Sequence, residues 1–363
     1  MFIKEFLQLR RDRVTFAMMI VIPLMQLLLF GYAINTQPTH LPTAILTQEN
    51  TDVSRAIVAA LKNTSYFEIV RTTQSGTEMD HWLRAGSVQF AVEIPAGFER
   101  ALRRGETPAL LVAADATDPV ASGTALGALN GVLSSALSGL RGLPDTTSTA
   151  AFEIRQHRRY NPAAVTRINI VPGILGTILT MTMLIFTALS VTREIERNTM
   201  ENLLSMPIRP LEVMLGKIAP YVAVGFAQAA LIFVAGFFVF GVPVEGNLIL
   251  LAALSVLFII ANLSIGYTFS TLARNQLQAI QMSFMFFLPS ILLSGFMFPF
   301  AGMPVWAQWV GEALPLTHYL RIVRGIMLKG AGMCDLAHPT LMLAGLMLFA
   351  MMLAVTRFRR TLD

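Results

Sequence analysis

A polar segment with interleaved charges of both signs, residues 192–217, separates two strongly apolar stretches of the chain. Its first part is amphipathic, and Gly216 and Lys217 lead straight back into apolar sequence. A loop that only fixed membrane topology would need arginine and lysine alone, whereas mixed signs suit a docking face on which charge fixes the register. We therefore predict a short helix that docks on a cytosolic partner, with contacts from Arg193, Glu194, Glu196, Arg197, Glu201, Leu203, Leu204, Pro207 and Glu212.

Three polar side chains interrupt the apolar stretches, namely Gln228, Asn262 and Gln281. Such groups either hydrogen-bond to neighbouring helices or contact a ligand, and we favour the first role. Residues 282–300 are rich in phenylalanine and methionine and include Phe286 and Phe287. Such sequence usually serves packing, but methionine-rich surfaces also accommodate varied apolar ligands. These five residues are the candidate ligand contacts within the apolar stretches.

The sequence lacks the common motifs of catalysis. It contains no G-x-x-x-x-G-K-[ST] phosphate loop, no H-E-x-x-H motif and no G-x-S-x-G nucleophile elbow. Its 5 histidines show no metal-ligand spacing, and Cys334 is the single cysteine, which excludes an intrachain disulfide and a cysteine-based metal centre. We predict that the chain has no catalytic site and binds no metal or cofactor.

The composition indicates a polytopic α-helical membrane protein. The 363 residues have a mean hydropathy of +0.60, and the 13% that are charged are about half the share in soluble domains. The pI of about 9.6 does not indicate a nucleic-acid partner, because the basic residues flank apolar stretches or lie in a charge-balanced region. Six stretches approach the ~20 residues that cross a bilayer. These predicted spans are Val14–Ile34, Ile170–Val191, Ile218–Phe240, Leu248–Leu272, Ile280–Phe300 and Thr340–Thr356.

Charge around the spans predicts their orientation. Six spans place both termini on one side, together with residues 192–217 and Arg274, and most arginines and lysines of the short segments lie there. The positive-inside rule then puts both termini in the cytosol. Arg155, Arg158 and Arg159 argue weakly against this orientation, but long domains translocate largely regardless of charge. The first span exceeds the ~7–15 residues of a signal-peptide core and lacks a cleavage site, so we expect it to remain.

The region between the first two spans, residues 35–169, alternates strand and helix patterns and predicts an extracytoplasmic α/β domain. The predicted strands are Leu41–Leu46, Tyr66–Val70, Val88–Ile94 and Ala109–Ala113. The predicted helices are Asp52–Leu61, Thr77–Arg84, Pro95–Leu102 and Ala121–Leu140. The last of these helices is rich in small residues, so a helix that returns to the membrane is an alternative to one that packs on the domain.

The bounds of the predicted spans and of the extracytoplasmic domain divide the rest of the chain into further segments. Residues 1–13 form an amphipathic cytosolic segment, and residues 170–363 form a membrane domain of five helices. Glycines and prolines interrupt residues 298–330, which predicts a dip or a short helical pair at the outer face. Trp306 and Trp309 suit interfacial anchors there. Polar backbone at that depth would have to be buried in protein.

Four groups of segments resemble the ABC-2 type permeases. Residues 192–217 resemble the family's R-E-x-E-x-G-T-x-E-x-L-L-x-x-P…E…G-K pattern, with Asn198 where many members have glycine. The other blocks are Ile94–Phe98 with Asp115–Pro119; Tyr160–Pro162 with Ile170–Gly173; and Ser294–Pro299 with Met303–Pro304, Pro315–Thr317 and Arg324–Ile326. The blocks follow the family's order over essentially the whole chain, so the resemblance is specific.

The resemblance implies half of the membrane channel of an ATP-driven exporter. Such permeases pair as homodimers or heterodimers in the plasma (inner) membrane, and a separate ATPase subunit binds the ATP. Residues 192–212 would be the coupling helix in a groove of that ATPase, and the five candidate contacts within the spans would line the translocation path. Residues 1–13 would lie along the lipid surface. Long members with an external domain often work with a periplasmic adaptor and an outer-membrane duct.

Two alternatives remain open. A few members of the family are linked to sodium export, so the chain would then be a permease for ion extrusion. The second alternative is a membrane-anchored sensor or adhesion protein, in which the external domain binds a ligand and the spans are passive. That protein would have fewer spans and no docking helix.

Overall fold

The structure is a computed structural model that describes residues 39–138, 152–196 and 210–360. The predicted amphipathic segment, residues 1–13, and the first predicted span, residues 14–34, lie outside these ranges. The described chain begins with a sheet domain and continues as a bundle of helices.

The sheet has five strands: β1 (Leu41–Thr47), β2 (Phe67–Thr73), β3 (Phe90–Ile94), β4 (Ala109–Asp115) and β5 (Glu153–Arg159). Their order in space is β2-β1-β3-β4-β5, and only the pair β3–β4 is antiparallel. The first four strands coincide with predicted strands to within three residues. The fifth was not predicted, because its sequence Glu-Ile-Arg-Gln-His-Arg-Arg has one apolar residue, Ile154, and lies at an exposed edge.

Four helices cover the sheet: α1 (Asp52–Asn63), α2 (Gly76–Arg84), α3 (Phe98–Arg103) and α4 (Pro119–Ser138). Helices α1, α3 and α4 bury one apolar face against the strands, and α2 covers the opposite face through Met79 and Leu83. The return of α4 to the membrane is not observed. Its residues Ala125, Leu129 and Leu133 are buried in the core of the sheet domain, because their spacing places them on one face of the helix.

Seven helices follow in the described part of the chain: α5 (Thr166–Glu196), α6 (Pro210–Phe238), α7 (Leu248–Leu272), α8 (Gln276–Leu293), α9 (Val305–Glu312), α10 (Pro315–Lys329) and α11 (Ala337–Arg360). Five of them, α5, α6, α7, α8 and α11, are long and apolar enough to cross a bilayer. The protein is therefore a polytopic helical membrane protein, and the total of six spans stays a prediction. We call the end of the bundle next to the sheet domain the domain end, and the end at which α5 leads towards α6 the loop end.

Helix α7 forms the centre of the bundle and has the bounds predicted for it. It is apolar on all sides, as expected for a helix surrounded by protein and lipid. The ring of Phe258 stacks on that of Tyr319 in α10 with 4.0 Å between centroids, and Ser255 Oγ lies 2.7 Å from the Tyr319 hydroxyl. Gly266 lies against the backbone of Leu184 in α5, so these two helices approach closely.

Helix α8 ends at Leu293, seven residues before the end predicted for this span. Gly295 follows with a φ of +83°, a conformation that glycine adopts without steric cost, and the chain turns away from the helix axis. Helices α9 and α10 then form the predicted short helical pair. Trp306 and Trp309 on α9 are 45% and 74% exposed, whereas α10 is largely buried within protein.

Candidate functional site

At the loop end, side-chain contacts join three helices next to the predicted docking segment, residues 192–212. Glu194, near the end of α5, forms an ion pair with Lys217 of α6. Glu196, at the end of α5, accepts a hydrogen bond from the backbone nitrogen of Gln276 at 2.6 Å and another from its side-chain amide. Gln276 is the first residue of α8. This end of α5 is therefore in direct contact with both α6 and α8.

The carboxylate of Glu196 lies at the amino terminus of α8. Backbone N–H groups there lack partners within the helix, and the helix dipole favours a negative charge. The hydrogen bonds from Gln276 hold the pKa of Glu196 below its usual value, so this side chain is anionic at neutral pH. Asn275 caps the same terminus by accepting from the Gln278 nitrogen at 2.8 Å. Glu196 thus helps to fix where α8 begins.

The structure places only part of the predicted docking face. Arg193 is exposed in the last turn of α5, and Glu212 falls in the first turn of α6. The remaining members lie outside the described ranges, namely Arg197, Glu201, Leu203, Leu204 and Pro207. The docking face as a whole therefore stays a prediction. The sequence does not reveal the partners of these glutamates within the chain, although Lys217 belongs to the same charged motif.

The polar residues of the spans differ in their surroundings. Gln228 of α6 accepts a hydrogen bond from Thr182 of α5 at 3.0 Å, the interhelical role favoured from the sequence. Asn262 is fully buried in α7 and donates to the carbonyl of Phe258 at 3.0 Å, while its Oδ1 has no partner. The Oε1 of Gln281 is also buried without a partner. No described hydrogen bond joins Gln228, Asn262 and Gln281 to one another.

The two phenylalanines proposed for the path lie in the middle of α8. Phe286 packs on Phe269 of α7 with ring centroids 5.8 Å apart, and Phe287 is half-buried. Phe286 therefore packs against another helix of the same chain. No described hydrogen bond or ring contact links these side chains to Gln228 or Asn262, and the assignment of the five residues to a translocation path stays a prediction.

A cavity of about 1110 Å³ lies at the domain end, between the sheet domain, the turn that follows α8, and the helices α9 to α11. Lys329, the last residue of α10, forms an ion pair across this junction with Asp115 at the end of β4. The Lys329 ammonium also lies 5.5 Å from the ring centroid of Tyr160. Residues from several blocks of the family resemblance line the cavity, namely Asp115, Asp118, Ser294, Gly295, Met303, Pro304, Arg324 and Gly325. The sequence gives no sign of this cavity, because the residues that line it are far apart along the chain.

Comparison with known proteins extends over nearly the whole chain. The sequence model of the ABC-2 family transporter proteins matches residues 13–356. The probable multidrug ABC transporter permease YbhS of Escherichia coli strain K12 is 31% identical over 90% of this chain and 87% of its own length. YbhR, also named a probable multidrug ABC transporter permease of that strain, is 29% identical over 91% and 89%. The inner membrane transport permease YhhJ of that strain is 30% identical over 88% and 86%. The chain belongs to the ABC-2 family of transporter proteins.

Proposed function

We propose that this chain is the membrane-spanning permease subunit of an ATP-driven exporter, which forms the translocation path as a dimer and is driven by a separate ATPase subunit. The family match over residues 13–356 supports the role of permease, since the relatives YbhS, YbhR and YhhJ carry that name. In this proposal ATP binds to the partner subunit and this chain binds no cofactor.

The paired contacts at the loop end carry the proposal of coupling. Helix α5 ends at Glu196 and α6 begins at Pro210, and Glu194 and Glu196 bind Lys217 and Gln276 next to these two ends. A push or pull on the segment by an ATPase would therefore move α5, α6 and α8 together. Helix α5 runs from Thr166 at the domain end to Glu196, so the same movement would reach the opposite end of the bundle.

Two substitutions in the docking segment, one of which reverses a charge, test the proposal. Glu201→Lys and Leu203→Asp alter predicted contacts with the ATPase, and Glu106→Lys is the matched control at an exposed site of the sheet domain. Like-charge contacts at an interface cost several kcal/mol, or roughly a hundredfold in affinity, whereas a surface substitution changes stability by about 0.5 kcal/mol. We expect the first two variants to insert and dimerise normally but to lose ATPase pull-down and transport. Wild-type behaviour of both would make the segment a simple connector.

The proposed orientation has both termini in the cytosol and the sheet domain outside it, in the inner membrane of a cell with two membranes. Single cysteines test it after replacement of Cys334, which is exposed. A cysteine at Ser75 should react with an impermeant reagent in intact cells. A cysteine at Asn198 should react only after permeabilisation, and the reverse pattern would invert the orientation.

The proposed cargo follows from the relatives, two of which are named probable multidrug permeases. We propose that this chain exports varied apolar or amphipathic compounds, with a periplasmic adaptor and an outer-membrane duct. Export of a fluorescent amphipathic dye and of radioactive sodium can be compared in cells with and without the chain. Loss of dye export on deletion supports this cargo, whereas loss of sodium export alone would favour the ion-extruding alternative.

A further inference from the structure

Arg324 lines the cavity at the domain end with a guanidinium group that is only partly hydrogen-bonded. Its Nη1 donates to the carbonyl oxygen of Gly295 at 3.1 Å, whereas Nε and Nη2 are buried and have no protein partner. An arginine side chain stays protonated in proteins, so it cannot avoid the cost of burial by losing its charge. Buried donors of a charged group that lack acceptors are costly, which calls for a functional explanation.

The two unpartnered nitrogens have a specific geometry. Nε and Nη2 lie on the same edge of the planar guanidinium, and their N–H groups point in parallel. Two parallel N–H donors match the two oxygens of a carboxylate or a phosphate, and such bidentate contacts are among the strong hydrogen bonds of proteins. The unpartnered edge of Arg324 thus has the shape that binds one oxyanion side-on, and an oxyanion would reach it from the cavity once neighbouring lining side chains move aside, because both nitrogens have almost no accessible surface.

Two other cations of the lining, Arg321 and Lys329, are already paired with carboxylates. Arg321 contacts Glu312 at 2.5 Å, and Lys329 contacts Asp115. The carboxylates of Asp118 and Asp115 act on Arg324 through space, but neither accepts a hydrogen bond from its Nε or Nη2. Burial lowers the pKa of Arg324, and these two carboxylates oppose that shift. Their charge therefore stabilises the cation without supplying the missing acceptors.

The cavity also offers apolar surface next to the guanidinium. Its lining includes Phe300, Met303, Val305, Leu320 and Leu336. Its volume of about 1110 Å³ slightly exceeds the ~300–1,000 Å³ typical of small-molecule sites, so it has room for more than a small inorganic anion.

We propose that this cavity binds an amphiphile whose carboxylate or phosphate is held side-on by Nε and Nη2 of Arg324, and whose apolar part lies along Phe300, Met303 and Leu320. The same chemistry fits the head of an anionic lipid or a free anionic amphiphile. The inference goes beyond the proposed function. It concerns equilibrium binding to the purified chain and requires neither the ATPase nor transport, so either can fail without the other.

Titration of the purified full chain with dodecyl phosphate in a neutral detergent, followed by calorimetry, tests the site. We expect Arg324→Gln to weaken binding roughly tenfold or more, because two charge-assisted hydrogen bonds are lost. Arg324→Lys keeps the charge but cannot bind two oxygens side-on, so an intermediate loss is expected. Arg84→Gln removes an exposed arginine of the same lining and should change the affinity by no more than about twofold.

Two further measurements separate the parts of the proposal. Val305→Glu alters a lining side chain that is 62% exposed, so the fold should tolerate it, and it should weaken dodecyl phosphate binding through repulsion. Inorganic phosphate and dodecanol should each bind at least roughly tenfold more weakly than dodecyl phosphate. Equal binding of dodecyl phosphate by the wild type and a folded Arg324→Gln protein would overturn the proposal. Binding of inorganic phosphate as tightly as dodecyl phosphate would also overturn it, because the site would then be specific for a simple anion.

The lipids that copurify with the protein show whether the bound amphiphile is a membrane lipid. Wild-type and Arg324→Gln proteins are extracted from the same membranes, and their bound lipids are measured by mass spectrometry. Loss of phosphatidylglycerol from the variant, with phosphatidylcholine or other neutral lipids unchanged, would support the site and assign it to lipid. Unchanged lipids together with weakened dodecyl phosphate binding would support the site and assign it to a free anionic amphiphile.

Discussion

The ammonium of Lys329 donates to the carboxylate of Asp115, 214 residues away in sequence, and each side chain is only 8% exposed. Asp115 ends β4, and Lys329 ends α10, so this ion pair joins the sheet domain to the helical bundle. Lys329 also reaches the carbonyl oxygen of Leu83 at 3.4 Å, at the end of α2. Two elements of the sheet domain, α2 and β4, therefore contact the same lysine at the end of α10.

Removal of one partner of this buried pair should loosen the junction. Asp115→Asn leaves the buried ammonium of Lys329 without a counter-charge, and Lys329→Met leaves the buried carboxylate of Asp115 without one. Breaking a buried ion pair in this way typically lowers the free energy of unfolding by about 3–5 kcal/mol. The double variant should recover much of that loss, because no charge remains unpaired. Arg155→Ala, in an exposed pair with Glu153, is the control and should cost less than about 1 kcal/mol. Thermal unfolding of the four purified variants measures the difference, and equal unfolding temperatures of Asp115→Asn and Arg155→Ala would contradict it.

Reversal of Lys217 tests the ion pair at the loop end. Glu194 and Lys217 are 31% and 13% exposed, so their interaction is only partly screened by solvent. Lys217→Glu places two carboxylates together and should separate the ends of α5 and α6. We expect it to reduce transport and to reduce pull-down of the ATPase, and the swapped pair Glu194→Lys with Lys217→Glu should restore part of both. A swapped protein no better than the single variant would show that each residue acts separately, for example through contacts with the ATPase.

The sequence predicted the helical part of the fold better than its contacts. Apolar length alone gives spans such as α7, whose bounds agree with the structure, because nothing but burial in protein or lipid determines such a helix. Helix α8 ends earlier than predicted, since Gly295 adopts a positive φ that hydropathy does not register. Strand β5 was not predicted, because it is held in the sheet by its pairing with β4 and not by apolar residues of its own.

The contacts within the candidate sites were even less predictable from the sequence than the ends of the helices and strands. The charged motif pointed to Glu194 and Glu196, but their partners Lys217 and Gln276 depend on how three helix ends meet. Arg324 stood in a recognised block, yet its unpartnered nitrogens appear only when Gly295 and the sheet domain are placed around it. Local sequence determines which residues are charged, whereas tertiary packing determines which of them lack partners.

The start of α8 should respond to pH through Glu196. Hydrogen bonds from Gln276 lower the pKa of this carboxylate in the folded protein, so the stabilisation is fully present above the ordinary glutamate pKa of about 4.3. It is lost as the pH falls through the lower pKa of the folded state. Hydrogen exchange of the peptide that begins at Gln276, corrected for intrinsic rates, should speed up in that acid range in the wild type. Glu196→Gln keeps an acceptor that does not titrate in this range and should remove this pH dependence, while Glu196→Lys should exchange faster at neutral pH because a cation opposes the helix dipole. An unchanged acid response in Glu196→Gln would assign it to another group.

The close approach of α5 and α7 should depend on Gly266. A Cβ atom at this position would lie 2.7 Å from the carbonyl oxygen of Leu184 and 3.1 Å from the Cβ of Thr187, so it would meet backbone that cannot rotate away. Gly266→Ala must separate the two helices, and such overpacking typically costs about 1–3 kcal/mol. Gly345 in α11 is the matched control, because a Cβ there has no neighbour within 4 Å. Thermal unfolding in detergent should show a lower midpoint for Gly266→Ala and an unchanged or slightly higher midpoint for Gly345→Ala, since alanine favours the helix. Equal midpoints would mean that α5 and α7 have room to move apart, and transport by Gly266→Ala would then show whether that freedom is used.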